Sequence, residues 1–150
     1  MKNLTVFSED NKYFGIFSDD YESSCSMEQF IIMQHNPLKY FWKFTHLEKN
    51  ISGSLLNLGW MFDEDKNHFN INNQVFLVSF EGFHFGIKME QKLYDLPLEK
   101  DACTFIKNET SLGSHNFTLN MLVNKILVHK SKKIFILEPN VISNYFRNIL

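Results

Sequence analysis

A chain of 150 residues with a formal net charge of −2 and 44% hydrophobic residues is long enough for one buried core and carries no excess of positive charge for unspecific nucleic-acid binding. Fourteen lysines stand against one arginine, Arg147, so bidentate phosphate or guanine contacts have almost no donor. The N-terminus turns acidic at Glu9–Asp10 and no run approaches the ~20 apolar residues of a membrane helix, so neither a signal peptide nor a membrane span is expected.

Leu4–Phe7 and Tyr13–Phe17 predict a first hairpin. A loop of Glu9, Asp10 and Asn11 would place Leu4, Val6, Phe14 and Ile16 on one face, with Asn11 in a left-handed conformation. Residues 18–26 are polar and acidic and predict an exposed connection. Gln29–Gln34 predicts a buried strand. Lys39–Leu47 fits a strand with Tyr40, Trp42 and Phe44 on one face, or a helix after Pro37 stacking Leu38, Phe41, Trp42 and Thr45. Its aromatic density favours the strand. Asn50–Ser54 reads as a turn around Gly53. Leu55–Phe62 reads as a strand alternating Leu56, Leu58, Trp60 and Phe62. Asp63–Asn67 is a charged turn, and Phe69–Ile71 a short strand.

Val75–Lys88 carries the clearest pattern. A two-residue Glu81-Gly82 turn pairs Phe80 with Phe83, Val78 with Phe85 and Phe76 with Ile87. Directly paired residues share a face, so these six side chains form one apolar surface. The opposite face is mixed: Val75 with Lys88, Leu77 with Gly86, Ser79 with His84. This pattern predicts a sheet packed on a core through its phenylalanine face.

Gln91–Asp101 looks irregular around Pro97, Cys103–Ile106 is a short strand, and Asn108–Ser114 a loop. Leu119, Leu122, Val123, Ile126 and Leu127 then follow helical spacing. Lys132–Leu137 is a strand, and Asn140 is placed to cap a last amphipathic helix through Ile142, Tyr145, Phe146, Ile149 and Leu150. The expected fold is α+β: a single domain over residues 1–150, mainly antiparallel β-sheet built of hairpins, with helices near the C-terminus. No internal repeat, low-complexity tract or linker is visible.

Chemistry-bearing patterns are sparse. The six histidines never fall at H-x-H or H-x₃-H spacing, and the two cysteines, Cys25 and Cys103, are far apart. Metal, cofactor and catalytic residues are therefore expected to be none. Both cysteines are expected to be reduced. Cys103 reads as a small core residue, and Cys25 as lying in an acidic loop that disfavours its thiolate. Lys125, Lys130, Lys132 and Lys133 form a basic patch that a helix C-terminus would explain through its dipole.

Two acidic runs remain, Asp19, Asp20, Tyr21 and Glu22, and Asp63, Glu64 and Asp65. The second lacks the spacing and glycine of a calcium loop. Acids interleaved with tyrosine suit a basic protein partner, the acids steering and the ring supplying contact area. The expectation is a non-enzymatic, cytoplasmic bacterial inhibitor of the immunity or antitoxin type. It would cover the basic cleft of a nuclease-like toxin with these seven residues. The alternatives are a small-molecule domain with a phenylalanine-lined pocket, a phage or viral inhibitor of a host protein, and an enzyme whose site joins distant residues such as His84 and an acid across the sheet.

Overall fold

The computed structural model describes residues 2–9, 11–21, 23–26, 29–34, 41–58, 73–98, 104–105 and 122–149. Strands dominate it: β1 Lys2–Glu9, β2 Lys12–Phe17, β3 Ser23–Ser26, β4 Phe30–Gln34, β5 Phe41–His46, β6 Ser52–Asn57, β7 Gln74–Phe80, β8 Phe83–Met89, β9 Gln91–Leu98, β10 Thr104–Phe105, β11 Val123–His129 and β12 Lys132–Leu137. Helix α1 follows at Pro139–Ile149. The chain divides into two compact units: unit 1, Met1–Asp20 with Lys92–Leu150, and unit 2, Tyr21–Gln91.

Unit 1 holds a sheet of order β10-β11-β12-β2-β1-β9 and unit 2 a sheet of order β3-β7-β8-β6-β5-β4. The α+β class holds. The sheets, however, are mixed rather than built of antiparallel hairpins alone. β12 runs parallel to β2, and β6 parallel to β8. Local patterns announce hairpins, whereas these parallel partners come from distant segments that no short-range pattern couples.

In unit 1 the β1–β2 register pairs Leu4 with Phe17, Val6 with Gly15 and Phe7 with Phe14. Glu9 pairs with Lys12, so two residues make the turn and not three. That one-residue difference moves Phe14 and Ile16 to the face opposite Leu4 and Val6. Leu4 and Val6 instead share a core with Phe17, Ile134 and Ile136, flanked by Tyr13, Tyr94, Leu96, Leu98 and Leu127. On the other face the Phe7 and Phe14 rings stack at 5.8 Å, and Phe14 meets Phe135 at 5.8 Å. Asn11 takes the expected positive φ, 62°.

The segment containing Pro97 is not irregular. β9 lies at the sheet edge beside β1, where a missing amide donor is tolerated. Fully buried Thr5 donates to Asp95 Oδ1 at 3.0 Å, and Lys92 Nζ donates to Oδ2 at 3.1 Å. The Lys92 hydrogen bond, with help from Thr5, holds the Asp95 carboxyl below the ordinary carboxylate range against a smaller opposing effect of burial.

Residues 123–129 form a strand, not the helix that their spacing suggested. Leu127 pairs with Ile134 and Ile126 with Phe135. Apolar residues here satisfy both periods, and sheet neighbours on either side decide for the β-branched sequence. Helix α1 begins with Pro139 in its first turn, where the lost amide costs nothing. Ile142 N donates to Glu138 O at 3.1 Å, which moves the cap from Asn140 to Glu138.

In unit 2 the β7–β8 register pairs Phe76 with Ile87, Val78 with Phe85 and Phe80 with Phe83 across Glu81-Gly82. Both turn residues have positive φ, 51° and 78°, as a tight hairpin turn requires. The unit's core cluster uses the other, mixed face: Val75 and Leu77 join Cys25, Phe30, Phe44 and Leu55. The phenylalanine face is buried as well at Phe76, Val78, Phe85 and Ile87. Residues 23–26 are an edge strand paired with β7, not an exposed connection, and Cys25 is a buried thiol of the core, outside any disulfide.

The strand reading of 39–47 holds over Phe41–His46. Gly53 lies inside β6, not in a turn, and β6 ends at Asn57. Asp63–Asn67, Phe69–Ile71, Asn108–Ser114, Leu119 and Cys103 lie outside the described residues.

Candidate protein-docking site

Asp19 and Asp20 follow β2 in a turn fixed by backbone bonds from Ser18 N to Asn3 O (2.8 Å) and Asp20 N to Phe17 O (2.9 Å). The Asp19 carboxylate meets Lys2 Nζ at 2.6 Å, both side chains nearly half exposed. Such a pair adds little stability, but it matches the acid's charge within the unit. The Tyr21 ring lies 4.6 Å from that of Phe76, tilted by 50°, so it packs on its own sheet. Asp19 and Asp20 close the first segment of unit 1, and Tyr21 opens unit 2. Glu22, Asp63, Glu64 and Asp65 lie outside the described residues.

Two strand connections display what the acidic runs do not. In unit 2 buried His46 organises the loop between β5 and β6. Its backbone N donates to Ile51 O, its carbonyl accepts from Asn50 N, and its Nδ1 accepts from Glu48 N (3.2 Å) and Lys49 N (3.0 Å). Its ring stands edge-on to Phe30 at 5.0 Å. Four bonds to one residue hold Leu47, 57% exposed, on the surface. Nothing in the histidine spacing pointed to this role.

In unit 1 the turn between β11 and β12 is Lys130-Ser131, with φ of 49° and 66°. Neither residue is the asparagine or glycine that such a turn favours. His129 pairs with Lys132 and Val128 with Lys133. Leu127 and Ile134 belong to one core, so the adjacent Val128–Lys133 pair points to the opposite face, that of Phe135, at its end beside the turn. Val128 is 61% exposed. Lys132 Nζ sits 4.9 Å from the centre of the Tyr13 ring, at the end of the core-facing side. At the far end of β11, Lys125 bonds Glu138 at 3.2 Å. Because β11 is a strand, no helix dipole accounts for Lys130, Lys132 and Lys133.

Several of the described phenylalanines pack ring against ring, Phe30 edge-on to Phe44 at 5.4 Å and Phe83 beside Phe85 at 6.1 Å included, as a filled interior does. His84 stands opposite Ser79, with no acid as its cross-strand neighbour. Among the described residues no three His, Cys, Asp or Glu gather as a metal site, and no helix is long and apolar enough to cross a membrane.

No family model matches the chain, and no curated protein matches it. Among solved structures it is similar to the crystal structure of the scaffolding protein TtCheW from Thermoanaerobacter tengcongensis. The identity is 14%, the TM-score 0.71, and the match covers 91% of this chain and 88% of that one. The chain has a CheW-like fold. This finding overturns the expectation of an immunity-type toxin inhibitor. The physical reason agrees with it: Asp19 is matched by Lys2 and Tyr21 by Phe76, so these residues spend their contacts within the chain.

Proposed function

We infer that this chain is a non-enzymatic scaffold of the CheW type, a cytoplasmic adaptor that holds protein partners together. The observation that carries this reading is the likeness to a scaffolding protein along nearly the whole chain. Two exposed connections, each on its own sheet and each presenting an apolar side chain, Leu47 and Val128, are compatible with more than one docking contact. Fold alone hosts many functions, so the test addresses the activity itself. The tagged chain is captured from its host at low salt, and the recovered proteins are mixed with it again in purified form. Two different proteins bound to it at once, measured by size-exclusion chromatography with light scattering, is the expected result. Recovery of no stoichiometric protein, or of partners that only exclude one another, overturns the scaffold reading.

A further inference from the structure

We propose that the β11–β12 turn of unit 1 docks an acidic segment of a protein partner, with Lys130 and Lys133 taking its carboxylates and Val128 an adjacent apolar side chain. The proposal rests on the scaffold reading and names the chemistry of one contact within it.

Three observations meet at this turn. First, positive charge is concentrated there: Lys130, Lys132 and Lys133 are all exposed, and no carboxylate among the described residues pairs with these lysines. Elsewhere in the unit Lys2, Lys92 and Lys125 each meet an acid. Second, Val128 is 61% exposed directly across the strand pair from Lys133. Paired residues share a face, so an apolar contact and a cation are presented together, the combination found where interfaces join a desolvated centre to a charged rim. Third, the turn keeps a lysine and a serine at two left-handed positions, where side chains are strained. Strain retained at an exposed turn, where asparagine and glycine would relieve it, points to a use for the lysine.

Lys132 plays a different part. Seated over Tyr13, it closes the end of the core and adds to the field that steers an acidic segment inward. A nucleic acid is the less favoured occupant. The net charge is −2 with a single arginine, and an exposed valine offers a phosphate backbone nothing.

The probe is a fluorescein-labelled peptide in which glutamates flank a leucine, titrated against the full chain at low salt and read by anisotropy. Wild type is expected to bind, less tightly as salt rises. Lys130→Glu with Lys133→Glu is expected to weaken it about tenfold, and Val128→Ser about threefold. Lys43→Glu with Lys49→Glu makes the same charge change at exposed positions of unit 2 and is expected to leave binding within about twofold. All variants are checked for an unchanged urea midpoint, and Lys130→Gln with Lys133→Gln repeats the test should the reversed charges unfold the chain. Equal losses in both charge-reversed pairs, no binding by wild type, or tighter binding of a duplex DNA than of the peptide each overturn the proposal. The two readings fail differently. If the Lys130/Lys133 variant still assembles both captured partners, the turn is not a docking point and the scaffold stands. If the peptide binds at the turn but no partner assembly exists, the scaffold reading falls alone.

Discussion

Gly15 in unit 1 and Gly86 in unit 2 occupy the same place. Each follows a phenylalanine and precedes an isoleucine. Gly15 pairs with Val6 on the hairpin and Ile136 on the parallel strand, and Gly86 with Leu77 and Leu55. The equivalence extends to every strand. Unit 2 runs β3 to β8 in order, and unit 1 runs β9, β10, β11, β12, β1, β2 once its end is followed by its start. Under that alignment the two sheet orders are identical. A Cβ on Gly15 would come within 2.9 Å of Leu4, and one on Gly86 within 2.9 Å of Val75, the residue equivalent to Leu4, and of Leu55. Interior packing is thus alike in the two units, and the exposed connections are not. β5 and β11 both end on a histidine, His46 and His129, each opening a connection to the strand beside it. One opens a loop that it ties together. The other opens the two-residue Lys130-Ser131 turn, and its buried Nδ1 has no partner among the described residues. Shared packing specifies the strand plan, while the connections are free to specialise.

The comparison breaks hardest at Gly53. Unit 1 holds buried Ile134 at that place, but a Cβ on Gly53 would lie 2.3 Å from the His84 carbonyl oxygen, a backbone atom. Gly53→Ala is expected to cost about 3 kcal/mol, since no side chain can yield, read as a fall in the urea midpoint. Gly15→Ala and Gly86→Ala meet side chains instead, and each should cost about 2 kcal/mol. Adding Val75→Ala to Gly86→Ala should lose less than the sum of the two, because the second change removes the atoms the first strikes. Strict additivity there would show that the crowding is not what excludes a methyl.

His46→Ala should lose about 2 kcal/mol, through two loop amides left without an acceptor and a buried ring removed. His129→Ala should lose under about 1 kcal/mol. Equal losses in thermal melts would mean that the loop bonds are incidental. At the turns, Ser131→Gly should gain about 1 kcal/mol and Gly82→Ala, with open space but φ of 78°, should lose about as much. The smallest effect belongs to Asp95. Its folded pKa is lowered, so its contribution is present above the unfolded carboxylate value and disappears as pH falls through the folded one. Half-exposed, it is worth a few tenths of a kcal/mol. Asp95→Asn should flatten the acid limb of the stability profile by that amount below about pH 4. Unit 2 has Phe76 at the position equivalent to Thr5, so no such titration arises there.

Legibility followed turn length. Across Glu81-Gly82 the register could be counted from the sequence. Across Asp10-Asn11 the same count, begun one residue early, put two side chains on the wrong face. The edge strand β3 resembles a loop because it is almost wholly polar, and in β9 Pro97 masks the alternation of Tyr94, Leu96 and Leu98 towards the core. The repeat is hard to read in the sequence because its halves are permuted and share little beyond Phe-Gly-Ile, a serine (Ser8 and Ser79) and a histidine (His46 and His129) at matching places. For the candidate site, the acidic runs were visible but their partners Lys2 and Phe76 were not, being remote in sequence. The lysines of the β11–β12 turn were visible too, and a helix that does not form explained them away.

The parallel pairing of β12 with β2 also has a consequence for synthesis. A ribosome at roughly 5–20 residues per second takes on the order of 10 s between emitting the N-terminal hairpin and its partner strand. Unit 2, a single continuous segment, is complete in that interval. The hairpin, with Phe7, Phe14, Ile16 and Phe17 uncovered by their final neighbours, must wait. Premature termination after unit 2 would therefore release a finished sheet carrying a sticky N-terminal arm, the kind of product that chaperones are built to recognise.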